Sequence, residues 1–226
     1  MRKWNELPKD MQVEEVKEYY DILQQHKKSL IAKRIFDIII AGVLLILLSP
    51  ILLVLSIIIK LDSEGPVMFR QVRVTAYGKT FRIFKFRTMV NHADRLGTQV
   101  TTKGDARVTR VGKVIRKCRL DELPQLLNIL TGDMTFVGTR PEVEKYVAHY
   151  TNEMKATLLL PAGVTSIASI EYKDEERLLE NAENADEVYI HQVLPEKMKY
   201  NLQAIREFSF WKDIKTMFAT VGAVLH

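Results

Sequence analysis

One cysteine, seven prolines and ten glycines in 226 residues are too few for several kinds of protein. A lone cysteine excludes a disulfide framework and a multi-cysteine zinc site, and it fits a reducing compartment. The scarcity of Gly and Pro, with no internal repeat, low-complexity tract or Gly/Ser linker, excludes collagen-like and linker-rich chains. His92, His149 and His191 have no metal-ligand spacing, so a zinc site is not expected. What is abundant is apolar: 47% hydrophobic against 27% charged residues excludes a disordered chain and allows one domain or two small ones.

Charge is unevenly spread behind a net +5. Residues 60–119 carry 15 basic and 4 acidic side chains, +11, whereas residues 120–226 carry 10 and 17, −7. The basic block suits a polyanion, a phosphorylated small molecule or an anionic membrane surface, and composition does not choose among them. From Ile38 to Ile59 the chain runs 22 residues without a charge, enough to cross a bilayer. With 34 mostly polar residues ahead of it and no small-residue cleavage pattern after it, the run is expected to stay in the mature protein.

Crossing is a separate question. Lys27, Lys28, Lys33 and Arg34 before the run match Lys60, Arg70, Arg73 and Lys79 after it, so the preference of cations for the cytoplasmic side is a tie. Ser49-Pro50 sits mid-run, where proline removes a backbone donor and crowds the preceding turn. A helix–break–helix that enters and leaves by one face satisfies both facts, with the Ser49 hydroxyl available to a freed carbonyl. On physics alone a kinked spanning helix stays open. Residues 8–34 read as an amphipathic helix for the membrane or the domain, and Leu194 to Leu225 as helical, either interfacial or packed on the core.

Residues 63–89 read as two short strands around Gly78-Lys79, with Lys85 and Arg87 on a cationic face that suits phosphates. Its interleaved aromatics also fit a nucleic-acid platform, but no nucleic-acid motif accompanies them, and no nucleic-acid partner is expected. Residues 111–119 read as a basic helix. A second helix starts at Asp121, at or near its N-cap, with Pro124 in the first turn and Gly132 near the end. Asp121 and Glu122 lie between Arg116, Lys117 and Arg119 on one side and Arg140 on the other. Such an acidic pair among cations suits phosphoryl chemistry: a carboxylate attacks phosphorus only where the phosphate charge is neutralised, and a second can hold Mg²⁺. Taken alone, D-E-L-P is also an ordinary cap and first-turn carboxylate.

K-R-I-F-D (33–37), Ser49-Pro50, K-F-R-T-M (85–89), L-D-E-L-P-Q (120–125), G-D-M (132–134) and G-T-R-P-E (138–142), in that order, resemble the bacterial sugar transferases, the monotopic phosphoglycosyl transferases. The resemblance covers about residues 31–218. Together with the periodicity it leads us to expect an α+β, mostly helical fold in three parts: an amphipathic extension (1–34), a membrane helix broken at Ser49-Pro50 (35–59) that the resemblance makes re-entrant, and a small cytoplasmic catalytic domain with a C-terminal amphipathic interfacial helix (60–226). It implies transfer of a sugar 1-phosphate from a UDP-sugar to undecaprenyl phosphate at the cytoplasmic face of the bacterial inner membrane, beside its anionic lipid, with UMP released and a product that downstream glycosyltransferases extend. By motif, Asp121 would be the nucleophile and Glu122 its companion in holding Mg²⁺. Arg116 and Arg140 would contact substrate phosphates, with Lys85 and Arg87 in the cationic strand motif. A catalytically inactive scaffold of a glycan-assembly complex is the alternative. Arg119 stands where the family often has Ser, Thr139 where it often has Pro, and residues 161–176 replace a shorter family motif. The sugar is not named by these residues, and Glu171, Asp174 and Asp186 receive no role.

Overall fold

A computed structural model of the chain describes residues 1–91, 93, 105–172, 178–179, 182 and 184–225. His92, Lys173, Asp174 and Arg177 lie outside the described residues. The architecture is α+β and mostly helical, as expected, with three separate pairs of short strands among the described residues.

The N-terminal segment belongs to the core. Helix α1 (Glu14–Gln25) starts with two glutamates in its first turn, which suit the positive end of the helix dipole. It buries Val16, Tyr19, Tyr20 and Leu23 at helical spacing, and Leu7 and Met11 ahead of it are also buried. These side chains join one cluster with Tyr150, Leu159, Met198 and Ile205. The Tyr19 hydroxyl donates to Glu153 at 2.5 Å, and Arg206 lies over its ring. Of the two fates open to the extension, packing on the domain is the one adopted.

Helix α2 (Lys27–Asp62) holds the apolar run. At 1.5 Å per residue its 36 residues span about 54 Å, against a hydrocarbon core of roughly 30 Å. Helical structure continues through Ser49-Pro50, so the expected break is not an interruption of the helix. What proline removes is one donor, and the carbonyl of Ile46 that loses it accepts instead from the Ser49 hydroxyl at 2.8 Å. One face of α2 is exposed along its whole length, from Ile31 and Ile35 through Ile46 and Leu47 to Ile57 and Leu61.

The other face packs on the domain near both ends. Toward the start, Lys33 pairs with Asp213 at 2.7 Å and Arg34 donates to the carbonyls of Ile129 and Leu130. Asp37, almost fully buried, accepts from the Thr135 hydroxyl at 2.5 Å. Toward the end, Leu55 and Ile59 pack with Phe86 and Ile115, and Asp62 accepts from the amide of Val111.

After α2, β1 (Met68–Phe69) pairs with β4 (Lys85–Phe86), and β2 (Val72–Val74) pairs with β3 (Thr80–Arg82), both antiparallel. The anticipated two strands are thus four, turning at Tyr77 and Gly78, both with positive φ. Helix α3 (Arg110–Lys117) is capped by the Thr109 side chain, which accepts from Gly112. Residues 120–122 form a 3₁₀ turn that runs into α4 (Gln125–Thr131), and Gly132 ends α4 at φ 89°. Then β5 (Met134–Val137) pairs in parallel with β6 (Ala162–Thr165). These two strands nearly touch: a Cβ on Gly163 would lie 2.3 Å from Gly138 N, so only glycine fits there.

The C-terminal periodicity resolves into two helices. Helix α5 (Leu194–Arg206) buries Met198, Leu202 and Ile205 in the core. Helix α6 (Phe210–Leu225) leaves Trp211 and Phe218 exposed and packs Phe210 edge-to-face on Phe36 of α2. Packing on the core holds for α5, and α6 packs on α2 while keeping two large apolar side chains exposed.

Candidate active site

Four elements converge on Asp121 and Glu122. Strand β4 brings Lys85, and α3 brings Arg116 in its last turn. The 3₁₀ turn itself carries the carboxylates, and the loop after β5 brings Arg140. Helix α4 is locked to the strands by Asn128, whose Oδ1 accepts from the Phe84 amide at 2.7 Å and whose Nδ2 donates to the Arg82 carbonyl at 3.1 Å. Close approach of Gly138 and Gly163 fixes where the Arg140 loop leaves β5, and Gly163 donates to the Thr139 carbonyl at 2.8 Å.

Both carboxylates are buried, Asp121 at 3% exposure and Glu122 at 9%. Lys85 Nζ bridges them, 2.9 Å from Asp121 Oδ2 and 3.3 Å from Glu122 Oε1. The Arg140 guanidinium forks onto the Glu122 carboxylate and also donates to the Val164 carbonyl at 3.3 Å. Burial pushes the Glu122 carboxyl up, but Arg140 and Lys85 outweigh it and hold the group well below the usual carboxylate range. The Glu122 carboxyl therefore stays ionised at neutral pH although it is buried. Asp121 is not the N-cap that the sequence suggested: Arg119 takes that position in the left-handed region at φ 52°, which turns Asp121 into the helical turn and toward Lys85. A bulky residue held there stores backbone strain beside the carboxylates.

A cavity of about 320 Å³ opens beside the pair. Lys85, Arg87, Arg116 and Arg140 all line it, so the four expected phosphate ligands reach one space. Arg87 differs from the others in what holds it. Its NH1 and NH2 groups donate to the carbonyls of Ile59, Ser63 and Glu64, which tethers the C-terminal end of α2. Ser49 and Pro50 are exposed on α2 and belong to the helix rather than to the cavity. Asp186 is engaged elsewhere, by Lys145 and the Tyr146 hydroxyl, and Cys118 is exposed.

Sequence reasoning did not single out Arg73 or Gln125 as site residues, and both line the cavity. Arg73 donates to the Pro141 carbonyl at 3.0 Å and so steadies the loop that carries Arg140. Gln125 was legible as the last letter of L-D-E-L-P-Q but carried no charge to draw notice.

Among the described residues no cluster of three or more His, Cys, Asp or Glu is placed to hold a metal. Mg²⁺ usually takes one or two carboxylates and completes its shell with water and substrate phosphates. Adjacent Asp121 and Glu122, beside a cavity lined by cations that suits phosphates, fit that partial donor set.

A buried carboxylate pair framed by Lys85 and Arg140, on a domain wrapped by one long apolar helix, defines a class that the comparisons name. The chain belongs to the bacterial sugar transferase family, whose model matches residues 28–226. It is 38% identical over 196 residues to the UDP-N-acetylgalactosamine-undecaprenyl-phosphate N-acetylgalactosaminephosphotransferase of Aeromonas hydrophila, covering 85% of this chain and 43% of that protein. It is 35% identical over 196 residues to the UDP-glucose:undecaprenyl-phosphate glucose-1-phosphate transferase of Caulobacter vibrioides, covering 85% and 69%. A sugar transferase of Bacillus subtilis described as uncharacterized, EpsL, is 35% identical over 196 residues, covering 87% and 88%. The chain thus spans less than half the length of the Aeromonas relative.

Proposed function

We propose that this chain is a phosphoglycosyl transferase that moves a sugar 1-phosphate from a UDP-sugar to undecaprenyl phosphate. The observation that carries the reading is the buried Asp121–Glu122 pair, bridged by Lys85 and forked by Arg140, two cations that line a 320 Å³ cavity. Family membership and the relatives' named substrates support it.

In the first step an Asp121 carboxylate oxygen attacks the β-phosphorus, the one bonded to the sugar. The bond from that phosphorus to the bridging oxygen breaks, and UMP leaves with the electron pair. The acyl phosphate on Asp121 is then attacked by a phosphate oxygen of the lipid, which forms the polyprenyl-diphospho-sugar and returns the carboxylate. Lys85 orients Asp121 and offsets its charge as the donor's phosphates arrive. Arg140 and Arg116 face the same cavity and supply further positive charge to the phosphoryl oxygens. Glu122 and Asp121 would hold Mg²⁺, whose contribution when bound is charge neutralisation on the diphosphate.

Helix α2 supports a re-entrant placement on the cytoplasmic face of the inner membrane. Arg34 near one end and Asp62 at the other both bond to the same domain. A straight crossing about 54 Å long would carry those ends to opposite faces. The apolar face that α2 leaves exposed, with Trp211 and Phe218 of α6, supplies the surface that lipid would cover. The +11 block favours the anionic leaflet.

The test is UMP release by the purified protein in nanodiscs with Mg²⁺, undecaprenyl phosphate and a panel of UDP-sugars that includes UDP-N-acetylgalactosamine and UDP-glucose. Lipid-dependent turnover with one donor is expected. Release with none across a full panel would contradict the reading.

A further inference from the structure

We infer that Gln125 is a catalytic residue of this site, donating its side-chain amide to a non-bridging oxygen of the phosphoryl group that Asp121 receives; the inference rests on the transferase reading above. Among the described residues, two buried side-chain nitrogens have no hydrogen-bond partner, Arg87 Nε and Gln125 Nε2. Both residues line the one cavity beside the carboxylates. A buried amide donor without an acceptor is rare because it loses its water and gains nothing in return.

Helix α4 provides its own comparison. Asn128, three residues on and equally buried at 1% exposure, spends both ends of its amide on the backbone of the strands. That is what a structural amide looks like here. Gln125 is as deeply buried, yet its donor finds nothing in the protein.

Position explains what the donor is for. Leu123 and Pro124 keep right-handed helical geometry between the 3₁₀ turn and α4, so Gln125 follows Asp121 by little more than one turn. Lys85, Arg116 and Arg140 line the same cavity as Gln125, so its occupant is anionic and rich in oxygen acceptors. A neutral donor adds one more hydrogen bond to a phosphoryl oxygen without repelling the cations already gathered around Glu122. Among the described residues no group holds the amide nitrogen in its buried position, so a small turn of the side chain brings its N–H to the phosphoryl group on which charge develops as Asp121 attacks.

The variants are Gln125→Met, which keeps the unbranched shape and removes the donor, and Gln125→Leu as a second apolar replacement. Removing a buried donor that has no protein partner should leave the melting temperature of the ligand-free full chain unchanged or raised. UMP release should fall by about 10²-fold, the usual effect of losing one oxyanion donor. A second readout avoids turnover: UDP carries the β-phosphate and UMP does not, so UDP should protect the wild type against thermal unfolding more than UMP does. That extra protection should shrink in both variants. Wild-type turnover with variant turnover within threefold of it, or a UDP-over-UMP difference undiminished in the variants, would overturn the inference and leave the transferase reading standing. A lowered melting temperature in both variants would overturn it too, as the mark of a structural amide. Absence of turnover in the wild type itself would instead overturn the transferase reading.

Discussion

Replacing Arg140 by Met separates the two jobs of the cation frame. The aliphatic stem is roughly kept, and what goes is the fork that holds the buried Glu122 carboxylate. Breaking one partner of a buried ion pair usually costs about 3–5 kcal/mol, because the remaining charge is left in a poor solvent. Here the Arg140 side chain is 32% exposed and Lys85 stays within 3.3 Å of Glu122, so the loss should be smaller, about 2–3 kcal/mol. That corresponds to roughly 30- to 150-fold in the folding equilibrium at neutral pH.

The pH dependence has a definite sign. In the wild type the folded value of Glu122 is depressed, so its stabilisation is complete above the unfolded value of about 4.3 and is lost only as pH falls through the lower folded value. Without Arg140, burial is opposed mainly by Lys85 and the folded value rises. The stability gap between the two proteins should therefore be widest at pH 7 and narrow as pH drops below about 4. Urea unfolding of both proteins in matched detergent from pH 7 to pH 3.5 measures it. Adding Glu122→Gln to Arg140→Met removes the stranded charge and should recover about 1 kcal/mol or more relative to additivity. A gap under about 0.5 kcal/mol, or one flat across that pH range, would refute the reasoning.

Other expectations follow from the packing. Leu23→Ala empties a fully buried position where the N-terminal extension meets the core and should cost about 2–5 kcal/mol in denaturant unfolding, although the family match starts only at residue 28. Gly163→Ala forces a Cβ to 2.3 Å from Gly138 N, so it should lower stability by about 1–3 kcal/mol and displace Arg140, with lost turnover in the UMP assay. Arg87→Met frees the carbonyls of Ile59, Ser63 and Glu64, and hydrogen exchange at residues 59–66 should speed up while α1 stays protected.

Much of the site was readable in the sequence because its chemistry is written in local motifs. The Asp121–Glu122 pair, Lys85 and Arg140 each sit in a short ordered signature, and the structure brings all four into contact. What escaped is set by long-range partners. Arg87 looks like its neighbour Lys85 on a cationic strand, yet it lies just past the end of β4 and its guanidinium binds the end of α2. Asp121 reads as a helix cap until Arg119 adopts a left-handed conformation that no propensity favours. The parallel pair β5–β6 went unread, since four-residue strands of M-T-F-V and A-G-V-T show no useful alternation. Ser49 was readable as the partner of a carbonyl that Pro50 frees, and its hydroxyl takes the Ile46 carbonyl while the helical assignment runs on through Pro50.

The central claim is the covalent step at Asp121. Wild-type protein incubated with its UDP-sugar and Mg²⁺ but no lipid, then quenched and weighed intact, should gain the mass of one sugar phosphate on the peptide carrying Asp121, with about one UMP released per protein. Asp121→Asn should gain nothing and turn over no substrate. Full turnover by Asp121→Asn, or UMP release from the wild type with no adduct on that peptide at any quench time, would contradict the account.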